Sequence, residues 1–226
     1  MEPGQNQGRG ALALGTTMYA EVLRHHLPRL YVAADMQLQA RHMTVNQIIG
    51  GWGTTSLVSG GLATPKQNRR RRVLLGELVD SVRLMSGGDA LVITCQDIEE
   101  RSASPGIRTS HFNAISGLDT FGNVRSVFVI GRPLPAANEL LTMARALTGR
   151  PNARKADHVE TQGAVMADGT GAPINVRVFG DPIPEAPRAA ITDAEIIQAV
   201  GRGRGATGKP TPDYQCQLPT ISVRVR

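Results

Sequence analysis

Ala194-Glu195-Ile196-Ile197-Gln198-Ala199-Val200-Gly201-Arg202-Gly203-Arg204-Gly205 puts a glutamine on an amphipathic segment and two arginines just beyond it. Ile191, Ala194, Ile197 and Val200 make an apolar stripe at helical period, and Thr192-Asp193-Ala194-Glu195 has the spacing of a capping box. A helix is therefore expected from Thr192, with Arg202 and Arg204 at its C-terminal end. A guanidinium is charged at any relevant pH and can meet phosphate with two parallel hydrogen bonds, while the intervening glycines let the backbone approach closely. The same residues also suit a solvated, flexible helix tail or a general nucleic-acid contact. A second block upstream decides the weighting.

That block is Ser110-His111-Phe112-Asn113-Ala114-Ile115-Ser116-Gly117-Leu118-Asp119-Thr120-Phe121, followed by the apolar run Val127-Phe128-Val129-Ile130. Gly117 permits a tight turn that Asp119 can exploit, and Ser110 and Asn113 are of a size to reach a strand phosphate. The two blocks, in this order, resemble motifs V and VI of superfamily 2 helicases. Ala90-Leu91-Val92-Ile93-Thr94-Cys95-Gln96 reads as a buried strand after a helix at 73–85 and resembles the region of motif IV. Gly131-Arg132-Pro133-Leu134-Pro135 and a helix at 136–147 resemble the segment after motif V in phage and plasmid proteins described as DNA primase/helicases. The likeness covers roughly 73–209. The family arginines often stand as Gly-Arg-x-x-Gly-Arg, whereas here one residue separates them, so Arg204 is off the usual spacing.

The resemblance implies an α/β fold of RecA-like, P-loop NTPase type: a mostly parallel sheet with flanking helices and an inserted β-hairpin. It implies the C-terminal motor half of an ATP-dependent helicase, with ATP and Mg²⁺ shared with a Walker A-containing RecA-like partner domain. Arg202, Arg204 and Gln198 would serve catalysis. Gly117, Asp119 and Gly201 would contact the nucleotide, and Ser110, Asn113 and Thr94 the nucleic acid. A non-catalytic basic nucleic-acid-binding protein on the same scaffold is the alternative.

Two segments imitate a phosphate loop. Gly203-Arg204-Gly205-Ala206-Thr207-Gly208-Lys209 has Pro210 where Ser or Thr should bind Mg²⁺, and no strand leads into it. Gly50-Gly51-Trp52-Gly53-Thr54-Thr55-Ser56 lacks the lysine that would neutralise phosphate and reads as a turn. Neither supplies the first-domain half of the site.

Net charge is +6 with a pI near 10.0, and Lys66-Gln67-Asn68-Arg69-Arg70-Arg71-Arg72 packs five cations into seven positions. Such a run ahead of a helix at 73 is electrostatically unfavourable unless an anion compensates, and backbone phosphates of single-stranded or duplex nucleic acid, DNA first, are the obvious partners. A solvated basic loop is the other reading. Aromatic residues make up 4% of the chain, too few for an extensive stacking platform. No apolar run is long enough for a bilayer, so no membrane partner is expected. Cys95 and Cys216 lack histidines at zinc-ligand spacing, and His25 and His26 are adjacent and would diverge on a helix, so no metal site is assigned and a cytoplasmic location with reduced thiols is expected.

Along the chain, 1–28 is expected as a tail and helix (18–26) and 29–226 as the RecA-like domain. Strands are expected at 29–34, with Asp35 at its end, and at 45–49. A basic linker follows at 59–72 and a polar connection at 150–157. Strands at 159–166 and 174–179 form the hairpin, and Pro182, Pro184 and Pro187 are expected in an extended bridge to Thr192.

Overall fold

The computed structural model describes residues 19–35, 43–48, 51–115, 124, 126–150, 157–165, 170–179, 182–202 and 214–218. A short helix, α1 (Ala20–Leu23), precedes β1 (Met43–Gln47), α2 (Thr54–Leu57), α3 (Pro65–Ser86), β2 (Ala90–Thr94), α4 (Gln96–Ser102) and β3 (Ile107–His111). β4 (Ser126–Val129), α5 (Ala137–Thr148), β5 (Asp157–Val165), β6 (Gly171–Phe179), α6 (Pro182–Gly201) and β7 (Tyr214–Leu218) follow. Five strands form one sheet in the order β1-β7-β4-β2-β3, every pair parallel, and β5 and β6 form a separate antiparallel hairpin. This is an α/β architecture.

The central strands are apolar on both faces because helices cover both. Alternation along β2 sends Ala90 and Val92 into a cluster with Leu75, Val82, Ile98 and Phe128, on the side of α3 and α4. Leu91 and Ile93 join Phe112, Ile115, Val127, Val129, Ile196 and Ala199 on the opposite side, under α6. Leu91, Ile93 and Ile98 are fully buried, each contributing about 1.5–3 kcal/mol of apolar transfer. Gly106 (φ +80°) is required between α4 and β3, since a Cβ there would stand 2.5 Å from the Gly88 carbonyl oxygen.

Several local expectations are corrected. α3 starts at Pro65, so the basic run lies inside a helix instead of in a linker. The Thr64 hydroxyl accepts from the Gln67 N–H at 3.3 Å and the Gln67 side chain accepts from the Thr64 N–H at 2.8 Å, a capping box ahead of which nothing helical can extend. No strand forms at 29–34: Tyr31 and Val32 are exposed, and the first strand of the sheet is β1. The prolines expected in a bridge are helical. Pro182 and Pro184 fall in the first turn of α6, where no intrahelical N–H is needed, and Pro187 is accommodated inside it. Thr192 therefore caps nothing; its hydroxyl donates to the Pro133 carbonyl at 2.8 Å. The hairpin agrees with expectation but runs from 157, and the Phe179 N–H reaches the Glu185 carboxylate at its junction with α6.

Candidate functional site

The turn that follows β3 grows directly out of the sheet. Phe112 continues β3 by donating its N–H to the Thr94 carbonyl at 2.9 Å, and Ala114 N–H closes a turn on the His111 carbonyl. Asn113 sits in the left-handed region at φ +69°, a conformation asparagine tolerates better than most side chains. Its exposed N–H donates to Oε2 of Glu195 on α6 at 2.9 Å, across 82 positions of sequence. On either side of it, Phe112 and Ile115 are buried in one cluster with Ile196 and Ala199. The turn and the helix that carry the two motif-like blocks are thus held together by a charge-assisted hydrogen bond and by apolar packing.

α6 presents Gln198 half-buried and ends at Gly201, after which the Arg202 N–H turns back toward the Gln198 and Ala199 carbonyls at 3.2 Å each. Arg202 is half-buried and its Nε is out of contact with solvent, unlike a freely solvated tail. It lies ten residues beyond Thr192, about 15 Å along the helix axis. Gly117, Asp119 and Arg204 lie outside the described residues, as does the second phosphate-loop-like segment, 203–209.

Two expected nucleic-acid contacts are withdrawn. The Thr94 side chain is fully buried, and Ser110 is 5% exposed, so neither hydroxyl faces a ligand. Both lie on central or inward-facing strand positions, where burial follows from helices covering both sheet faces. Arg69, Arg70 and Arg72 are exposed, while Arg71 is tied down by its Nη1 donating to the Val58 carbonyl at 3.1 Å. These arginines stand on α3 and Arg202 on α6, helices that pack on opposite faces of the sheet. They do not form one patch.

At the carboxyl edge of the sheet the chain leaves β2 for α4 on one face and leaves β4 toward α5 and α6, the last of these on the other. This makes the β2–β4 boundary the switch point at which open α/β sheets usually hold ligands. Here it is occupied by the chain itself. Gly131 (φ +77°) packs against the segment before α2, where an added Cβ would meet the Trp52 carbonyl oxygen at 3.2 Å. Cys95, at the same edge, has its Sγ 3.9 Å from the Arg132 carbonyl. Burial, and secondarily the charge of Asp97, raises its thiol pKa above the ordinary value. Less thiolate at a given pH means slower alkylation. In a Cys216→Ser background, iodoacetamide should therefore modify the folded chain more slowly than the urea-unfolded chain at pH 7.5. Equal rates would place Cys95 in open solvent.

Two features carry no signal in the sequence pattern: the role of Glu195, which reads there as part of a cap, and the His111–Glu99 pair, whose Nδ1 and Oε2 are 2.5 Å apart between β3 and α4. Among the described residues, no group of three His, Cys, Asp or Glu side chains is arranged to hold a metal ion, and no helix is long and apolar enough to cross a membrane. Comparison with protein-family models, with curated proteins and with solved structures finds no significant match to this chain.

Proposed function

We propose that the chain is a RecA-like C-terminal motor half of an ATP-dependent nucleic-acid helicase. The observation that carries this reading is the joint between the motif V turn and the motif VI helix: Asn113 N–H on the Glu195 carboxylate, with Phe112 and Ile115 packed beside Ile196 and Ala199. In a motor of this kind ATP lies between two domains. The partner would supply the Walker loop and the Mg²⁺ ligands, and Arg202 would reach the transferred phosphoryl group, where a positive charge lowers the barrier most. Gln198, one turn earlier on α6, would orient the same region. A rigid joint between turn and helix lets a shift at the nucleotide move the strand-gripping turn without loss in a soft connection. The filled switch-point crevice beside Gly131 is consistent with phosphates being held by another domain.

A non-catalytic nucleic-acid-binding protein is the second reading, favoured by the exposure of Arg69, Arg70 and Arg72 on the face away from Arg202. Both readings require binding to phosphate, and salt dependence tests it. Replacing Arg69, Arg70 and Arg72 by Ser should weaken binding to a single strand and flatten the slope of log K against log salt by about 0.7 for each phosphate no longer neutralised. Arg71 is left in place because it anchors α3 to Val58. An unchanged slope would make the run a solvated helix face.

A further inference from the structure

Beside α3, on the sheet face away from α6, an open groove of about 370 Å³ is lined by Trp52, Leu74, Leu78, Met85 and Phe128, with Glu77 as its acidic member. That volume falls within the range of small-ligand sites, as does the lining: mostly apolar and aromatic with few polar groups. Two features mark it as more than an uncovered sheet face. Trp52 brings a half-buried, flat aromatic ring to the wall of the groove. The groove also continues into positive charge. Arg70 and Lys66 stand one and two turns of helix before Leu74 on the same side of α3, both exposed, with Arg69 and Arg72 flanking them.

We propose that this groove takes a nucleobase, with the attached phosphate on Arg70 and Lys66. A flat heterocycle fits an apolar slot beside an indole ring. The exposed Glu77 carboxylate accepts only, so it pairs with an N–H donor on the base edge, an exocyclic amino group or a ring N–H, which a strand lacking the base does not offer. The anionic phosphate answers the cations one turn away, which an apolar peptide or a lipid tail would leave unmatched. The inference rests on the reading that this chain binds nucleic acid and names the unit that does so; the same chemistry is presented by a free nucleotide and by a single strand.

Trp52 is the sole tryptophan of the chain, so its emission reports on the groove directly. Titration of the full chain with a short deoxyadenosine oligonucleotide should quench it, whereas an abasic strand of equal length should bind in a salt-dependent way and leave emission unchanged. Glu77→Gln should weaken deoxyadenosine binding about 10-fold and abasic-strand binding little. Ser81→Phe, a change at an exposed position lining the groove, should abolish quenching while salt-dependent binding persists. Adenosine monophosphate as effective as the strand would assign the groove to a free nucleotide; quenching by the strand alone would assign it to the polymer. Equal affinity for adenosine and abasic strands, with no change in emission, would overturn the proposal and leave nucleic-acid binding standing. Absence of binding by every strand would overturn both.

Discussion

Glu185→Ala should lower the unfolding free energy by about 3 kcal/mol, the lower end of what stranding one member of a buried ion pair costs. Arg188 is the reason. Its side chain is 5% exposed in the first half of α6, where Nε donates to Glu185 Oε1 at 2.7 Å and Nη2 forms an ion pair with the same oxygen. Nη1 lies 3.6 Å from Asp193, close enough for attraction between charges and too far for a hydrogen bond. Burial pulls the guanidinium pKa down, but the hydrogen bond to Glu185 and the charge of Asp193 more than offset it, so the pKa is raised and Arg188 remains charged. Removing Glu185 leaves that charge inside the protein with only the more distant carboxylate. Arg188→Met should cost less, because it removes the charge and its desolvation while keeping much of the apolar stem. Urea titration followed by circular dichroism measures both. If Glu185→Ala falls within about 0.5 kcal/mol of the unsubstituted chain, the range of ordinary surface changes, the cluster is a packing feature and not an electrostatic one.

The parts of the fold that are legible in the sequence are those whose signal is local. Ala90 to Ile93 and Val127 to Val129 are continuous apolar runs, which strands buried on both faces require, and Ala167-Asp168-Gly169-Thr170-Gly171 between two alternating stretches marks a hairpin. The start of α3 carries a local signal too, since Thr64-Pro65-Lys66-Gln67 has both a proline at the first helical position and a capping box, but the charge of the following arginines argues for a linker and masks it. Other elements depend on distant partners. Tyr214-Gln215-Cys216-Gln217-Leu218 is half polar and becomes a strand by pairing on both sides, with β1 and β4. Pro184 and Pro187 read as helix breakers, yet both are buried within α6: Pro184 sits in the first turn, where no donor is lost, and at Pro187 tertiary packing outweighs the lost donor. At the candidate site, residue types at Gln198 and Arg202 can be read from the chain, but the bond from Asn113 to Glu195 cannot. A capping-box glutamate and a carboxylate meeting a turn 82 positions away look identical in sequence.

Arg202→Ala, in a complex with a Walker A-containing RecA-like partner, should lower kcat for ATP hydrolysis about 10³-fold or more, as removal of an arginine finger does. Folding should survive, because Arg202 follows the last turn of α6 while Ile196 and Ala199 supply that end of the helix with its core packing. Strand affinity should survive too, since the exposed Arg69, Arg70 and Arg72 stand on the other side of the sheet. Arg202→Lys should restore little: an ammonium is a point charge and cannot reproduce two parallel hydrogen bonds to phosphate oxygens. Arg204→Ala should cost less, given its displaced spacing. These outcomes separate the two readings of the chain by which quantity moves. A helicase half loses turnover with its strand binding and salt slope intact. If Arg202→Ala instead weakens strand binding and flattens the salt slope while hydrolysis by the complex is untouched, the end of α6 is a phosphate contact of a binding protein and the motor assignment fails.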